Sequence, residues 1–303
     1  MTQNIKKLVL PAPAKLNLFL HITGRREDGY HQLQTVFQLL DYSDEISLVL
    51  RRDGLVTRSA ESGAELKGIP FENDLCIRAA KLMQAEMHNY SNHIFGVEIN
   101  LHKILPIGGG IGGGSSNAAT VLCGLNELWG CNFSIDKLAD LGAQLGADVP
   151  VFVRGFSAWA EGIGEQLTPL KLEQRWFVVI HPKLFVSTAE IFTDQALTRD
   201  SDTLKIARFL EGNQFNYLAE DLSNVFESIV IKKYPQIALA IDWLSTYSPA
   251  RLTGTGSCVF ASFNSEIDAS KVLDDLIKSN HNWLGFMAKG VNESPLKVSL
   301  QNQ

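Results

Sequence analysis

The chain is short of thiols and short of positive charge. Four cysteines occur in 303 residues, at Cys76, Cys123, Cys131 and Cys258, with no C-x-x-C pair and no histidine at zinc-ligand spacing. That excludes a zinc ribbon and a disulfide framework, and predicts reduced, mostly buried thiols in a cytoplasmic protein. Basic residues number 27 against 33 acidic ones, a net charge of −6, so a bulk nucleic-acid-binding face is not expected. The seven histidines form no cluster that suggests a metal. No solenoid repeat is present. The opening MTQNIKKLVLPAPAKLNLFL imitates a targeting segment, but its apolar piece stops at Pro11 and Lys15 interrupts the next apolar stretch, so none is expected. One long uncharged window, Ile104 to Asn126, has too many glycines and serines to span a membrane. Soluble two-domain organisation is the expectation for this length and composition.

What the chain has instead is glycine in one place. LPIGGGIGGGSSNAAT, residues 105 to 120, carries six glycines between Gly108 and Gly114. Upstream, Val97, Ile99 and Leu101 alternate with Glu98, Asn100 and His102, the period of a half-buried strand. Downstream, Ala118, Val121, Leu122, Leu125 and Leu128 fall at helical spacing, with Ser115 or Ser116 as N-cap candidates and Gly130 at the stop. The run therefore joins a strand to a helix start, where unpaired N–H groups and the helix dipole make an anion site. No acidic residue occurs after the loop until Glu127. A phosphate cradle is favoured over a flexible linker or a structural turn. The P-loop pattern fails, because Gly114 and Ser115 stand where it needs lysine and Ser/Thr, so a phosphate-neutralising cation has to come from elsewhere.

The remaining order predicts an α+β fold. Strands are expected at 15–21, 34–39 and 44–50, helices at 74–88 and 134–145, and turn-rich chain up to Pro169. A buried strand in RWFVVIHP comes next, then helices near 188–195, 204–211, 219–231 and 237–245. A glycine turn entering a strand (RLTGTGSCVFASF), a helix at 266–278 and a last strand in WLGFMAKG complete the order. Strict βαβ alternation, which a dinucleotide fold needs, is absent.

Three places carry candidate chemistry. On a strand at 15–21, Lys15 and Asn17 share the face opposite Leu16, Leu18 and Leu20. Lys15 is either a solvated surface lysine or the missing cation. Asp148, between a helix end and Pro150, either closes a turn or serves as a general base that takes a hydroxyl proton during attack on a γ-phosphate. In GRREDGYHQLQTVF, Tyr30 and His31 enter a strand after a polar turn, and such a pair could hold a planar base. Gly254 and Gly256 form a second glycine turn, either a second phosphate contact or a tight hairpin.

Together and in this order, PAPAKLNLFL, GRREDGYHQLQTVFQLLDYSD, LPIGGGIGGGSSNAATVL, LGADVPVFV, AEGIGEQLTPL, RLTGTGSCVFA and FMAKGVNESPL resemble the GHMP kinase superfamily over almost the whole chain. The resemblance implies a two-domain GHMP kinase fold: an ATP-binding N-terminal domain like domain 2 of ribosomal protein S5, residues 1–168, and a ferredoxin-like C-terminal substrate domain, residues 169–303. It implies Asp148 as base and Lys15 as its partner. ATP, with Mg²⁺ on the nucleotide, falls to Lys103, Pro106, Gly108, Gly109, Gly110, Gly112, Gly113, Gly114, Ser115 and Ser116. A substrate bearing a cytidine diphosphate group falls to Asn17, Tyr30, His31, Thr188 and Phe192. Neither a nucleic acid, a membrane nor an obligate protein partner is implied. In ENDLCIRAA the resemblance leads one to expect asparagine before the leucine, where this chain has Asp74. A homoserine or mevalonate type of small-molecule kinase, and a nucleotide-binding relative without catalysis, are the competing readings.

Overall fold

The computed structural model describes residues 6–62, 66, 68–88, 95–206 and 222–302. Two long antiparallel strands form its spine, β1 (Lys7–Arg25) and β2 (His31–Arg51). The stretches expected as separate strands at 34–39 and 44–50 are one strand, because successive parts of β2 each find a further partner. Thr35–Phe37 pair with β5 (Ala158–Glu161), Leu39 and Leu40 with β10 (Leu284–Val291), and Glu45–Arg51 with β4 (Gly96–His102). Ladder hydrogen bonds are thereby supplied along nearly the whole strand.

From this spine the sheet runs β3 (Val56–Arg58), β4, β2, β10, β7 (Trp176–His181), β9 (Val259–Phe263), β8 (Ala250–Leu252), and β6 (Gln166–Pro169) pairs with β5. Among the described strands only β3 and β4 pair in parallel, so the sheet is mixed and the fold is α+β as expected. The register of β1 shifts between Pro13 and Lys15 and again between Asn17 and Leu20. These irregularities break simple alternation: Leu16, Leu18 and Phe19 are all buried, and so are Lys15 and Asn17.

One apolar cluster joins β4 to α1 (Leu75–His88), α2 (Gly113–Leu128), α3 (Ile135–Ala143) and α4 (Val149–Arg154), through residues such as Ile99, Met83, Leu122 and Phe152. Helix α2 is buried nearly all round. A Cβ on its Gly124 would lie 2.8 Å from Leu10, so glycine lets helix and sheet approach. Two further clusters draw on both sides of position 168. Leu16 and Trp159 pack with Phe177 and Phe260, and Ile22 packs with Ile180, Phe226 and Val272.

The helix at Glu266–Lys278 has the expected limits, and those at Thr188–Thr193 (α5) and Pro235–Ser245 match the expected regions. Of the helices expected at 204–211 and 219–231, residues 207–221 lie outside the described residues, and the described helical part is Glu227–Lys233. The β5–β6 hairpin, α4 and the helix Pro295–Gln301 were not expected. Among the described residues no helix is long and apolar enough to cross a membrane. Burial pushes the Cys123 thiol up to about 12 and that of half-buried Cys131 to about 11.

Candidate active site

The glycine run leaves β4 and enters α2 with Gly108, Gly110 and Gly112 at φ 72°, 75° and 73°. Gly112 itself is the N-cap, and no side chain caps the helix. Ser115 and Ser116, expected as caps, instead lie inside the first turn. A helix start has amides without intrahelical acceptors, and no acidic residue stands in this one. The loop walls a cavity of about 480 Å³ together with Lys103, Pro106, Gly108 to Gly114, Ser115, Asn73 and Asp74. Ser116 is fully buried and does not line that cavity.

The glycines also serve a second loop. Cys258 N donates to Gly109 O at 3.0 Å, and a Cβ on Gly254 would lie 2.9 Å from Gly110 O. A Cβ on Gly110 would collide with the Thr253 carbonyl and lie 3.0 Å from that of Gly256. The turn at 253–256 thus braces the glycine loop. Gly110→Val is therefore expected to weaken nucleotide binding through misfolding of the loop pair rather than by blocking a phosphate. A non-glycine residue in such backbone costs about 1–3 kcal/mol before the collision is counted. Thermal unfolding alongside ATP titration checks this: affinity and Tm should fall together, and lost affinity at unchanged Tm would contradict it.

Lys103 stands beneath the first turn of α2, its Nζ 3.1 Å from where a Gly113 Cβ would be. Asp44 of β2 holds it there. The Asp44 side chain has no solvent exposure; Oδ2 accepts from Lys103 Nζ at 2.5 Å and Asn117 Nδ2 at 2.9 Å, and Oδ1 accepts from the amides of Ile104 and Leu105 at 2.8 and 2.7 Å. One carboxylate thus ties strand, loop and helix together.

Beyond the loop, Lys15 Nζ lies 3.2 Å from Asp148 Oδ2 and donates to Asn17 Oδ1 at 2.5 Å. The Lys15 side chain is 3% exposed and that of Asp148 36%, which contradicts a solvated surface lysine. Asn17 Nδ2 donates to Thr35 Oγ1 at 3.0 Å, and Lys15 Nζ sits 5.1 Å from the Phe37 ring centroid. Lys15 N donates to Ile111 O at 3.0 Å, coupling this strand to the glycine loop. Asp148 is placed by the start of α4, where Pro150 suits the first turn. Asn17 therefore orients Lys15, with both ends of its amide engaged.

A second cavity of about 310 Å³ surrounds Lys15, Asn17 and Asp148 and shares Gly110, Ser115 and Thr188 with the first. It shares Leu33, Ala147, Ile163 and Phe192 with a third, of about 630 Å³, which contains Tyr30, His31 and Arg199. Tyr30 is 60% exposed. The His31 and Phe192 rings lie 5.3 Å apart, and Phe226 holds Phe192 edge-to-face at 4.7 Å. Burial, then Arg199 and Arg25, hold His31 below the usual histidine range. Thr188, bonded to Thr255 at 2.9 Å, stands where the first two cavities meet.

The family models for the GHMP kinases N-terminal domain and the GHMP kinases C-terminal domain match residues 74–156 and 195–282. The chain belongs to the GHMP kinase family. Among its relatives, the 4-diphosphocytidyl-2-C-methyl-D-erythritol kinase of Hahella chejuensis is 50% identical over 298 residues, covering 97% of each chain. The enzyme of the same name from Cupriavidus metallidurans is 51% identical over 288 residues, 94% of each. A crystal structure of 4-(cytidine 5'-diphospho)-2C-methyl-D-erythritol kinase superposes with a TM-score of 0.75 at 29% identity, covering 94% of this chain and all of the other.

Within this GHMP kinase, Lys15, Asn17, Thr188 and Asp148 come together at the middle of the groove, the loop residues other than Ser116 at one end, and Tyr30, His31 and Phe192 at the other. Asp74 is a helix cap: Oδ1 accepts from Cys76 N at 2.9 Å and Oδ2 from Arg58 at 3.2 Å. Sequence reasoning missed Asp44 and Arg199. Asp44 closes the block GRREDGYHQLQTVFQLLDYSD without standing out in it, Arg199 lies in none of the quoted blocks, and each acts through a partner more than 50 residues away.

Proposed function

We propose that this GHMP kinase transfers the γ-phosphoryl group of ATP to the 2-hydroxyl of 4-diphosphocytidyl-2-C-methyl-D-erythritol, a step of the non-mevalonate route to isoprenoid precursors. The observation that carries the reading is the order of the groove: phosphate loop, then the Lys15–Asp148 pair, then an aromatic pocket. That is the order of a nucleoside triphosphate, a reacting hydroxyl and a nucleobase. The names of the relatives support the same substrate. Residues 1–168 supply the ATP side and 169–303 the other wall of the base pocket, through Phe192 and Arg199.

Asp148 accepts the hydroxyl proton while the hydroxyl oxygen bonds to the γ-phosphorus and the bond to the β-bridging oxygen breaks, releasing ADP. Lys15, held by Asn17, keeps a positive charge beside the reacting oxygens. Lys103 and the first-turn amides of α2 take the place of the P-loop lysine. Among the described residues no group of three or more metal-ligating side chains occurs. Mg²⁺ would enter on the nucleotide phosphates and neutralise their charge; the Ser115 hydroxyl and Asp148 carboxylate, both in the wall of the second cavity, are the side-chain oxygens that would face it.

The test is ADP release with the cytidine-diphosphate substrate, against methylerythritol phosphate, mevalonate and homoserine. Turnover on mevalonate or homoserine without the first would sink the proposal. A paired measurement reaches the base pocket. Stacking contributes about 1–3 kcal/mol per base, so His31→Ala is expected to lower kcat/KM for the cytidine substrate by about tenfold to a hundredfold. Residual activity on methylerythritol phosphate should hardly change. Equal losses on both would move His31 out of base binding.

A further inference from the structure

Arg199 follows α5, and backbone carbonyls fix its guanidinium. Nη1 donates to Leu197 O at 3.1 Å, and Nη2 to Phe192 O at 3.2 Å and Asp194 O at 2.8 Å. Its remaining group, Nε–H, donates to His31 Nε2 at 3.2 Å. A guanidinium has donors and no acceptor, so this contact has one polarity. Nε2 of His31 is the acceptor, and the proton of the neutral ring then resides on Nδ1.

We propose that Arg199 is a positioning residue for base recognition: it fixes His31 as the Nδ1–H tautomer, so that the pocket offers a donor suited to cytosine and unsuited to uracil. Cytosine has an acceptor at ring N3, where uracil carries a hydrogen. The inference rests on the cytidine reading above. A histidine free to choose its tautomer would offer either a donor or an acceptor and would discriminate poorly.

The described surroundings keep the ring neutral. Arg25 of β1 and Arg199 both oppose a positive charge on it, as does burial. The nearby carboxylates are engaged elsewhere. Asp28 pairs with Arg26 at 2.9 Å, and Glu190 and Asp194 each lie 2.9 Å from Lys233. Tyr30 is the other titratable group in the pocket wall.

The experiment compares kcat/KM for the cytidine-diphosphate substrate and its uridine counterpart, in wild type, Arg199→Met and Arg199→Lys, at about pH 8 and about pH 5.5. Wild type is expected to prefer cytidine at both. Arg199→Met should lose about tenfold of that preference at the higher pH. It should regain part on acidification, because the imidazolium carries hydrogen on both nitrogens. Arg199→Lys, which keeps a charged donor, should retain most of it. Equal losses on both substrates, with the ratio unchanged at either pH, would overturn the proposal and leave Arg199 only a brace for its segment. No preference in wild type would overturn the cytidine reading as well. Nitrogen-15 spectra of histidine-labelled wild type need no variant to fold: His31 should show an unprotonated Nε2, and a protonated one would overturn the proposal.

Discussion

Asp148→Asn is expected to lower kcat by about a hundredfold to ten-thousandfold, the range of a lost general base, with ATP affinity nearly unchanged. The amide fills the same space and can still accept a hydrogen bond from Lys15, but it cannot take the hydroxyl proton. Because the Asp148 side chain is 36% exposed, its charge is partly solvated, and the fold should tolerate the change. Lys15 retains Asn17 as an acceptor. Lys15→Met should also damage turnover, and the double variant should lose little more than the worse single one, since residues acting as a unit are not additive. Steady-state kinetics with a parallel ATP titration checks all three variants. Near-normal kcat in Asp148→Asn would return the residue to its turn-forming role.

Asp44→Ala should produce the largest loss of stability among single changes near the groove. It would strand Lys103, whose side chain is only 5% exposed, and take the acceptor from two amides and Asn117. Breaking a buried pair by removing one partner costs about 3–5 kcal/mol, and two of the orphaned donors open the phosphate loop. Denaturant unfolding should show that loss, and ATP binding should weaken in the fraction that remains folded. Restoring charge balance with Asp44→Ala plus Lys103→Met should recover part of the stability without recovering ATP affinity. Recovery of both would mean that Lys103 does not serve the nucleotide.

The contrast between Asp148 and Asp44 shows what local sequence can carry. Asp148 stands out because Gly146 and Pro150 bracket it, and those residues shape backbone wherever they occur. Asp44 sits between Ser43 and Glu45 in an ordinary strand, and its importance comes from Lys103 and Asn117, 59 and 73 residues away. Glycine spacing predicted the strand-to-helix loop, but Gly112 took the cap position expected of Ser115 or Ser116 because its left-handed backbone starts the helix earlier. The brace at 253–256 was ambiguous for the same reason as Asp44, since nothing local to a glycine turn says which loop it meets. Lys15 and Asn17 were found on one face, yet both are buried in a strand whose register shifts on either side of them, which alternation does not foresee. The run VPVFVR, apolar at almost every position, has no helical period to reveal that it is a short helix buried on all sides.

Strand β2 carries His31 near one end, Thr35 and Phe37 beside the reacting pair, and Asp44 under the phosphate loop. A strand advances about 3.3 Å per residue and stretches very little, so under the proposed function β2 acts as a ruler, with the base, the transferred group and the nucleotide each assigned a graduation. An alcohol attached to the same base by a shorter or longer linker would fill the pocket at His31 and still bring its hydroxyl to the wrong mark. Inserting one residue between His31 and Thr35 would do more than shift the scale, because it would turn His31 to the opposite face of the sheet. The proposed function thereby gains a selection by length, as well as by the base, that a single continuous strand would impose.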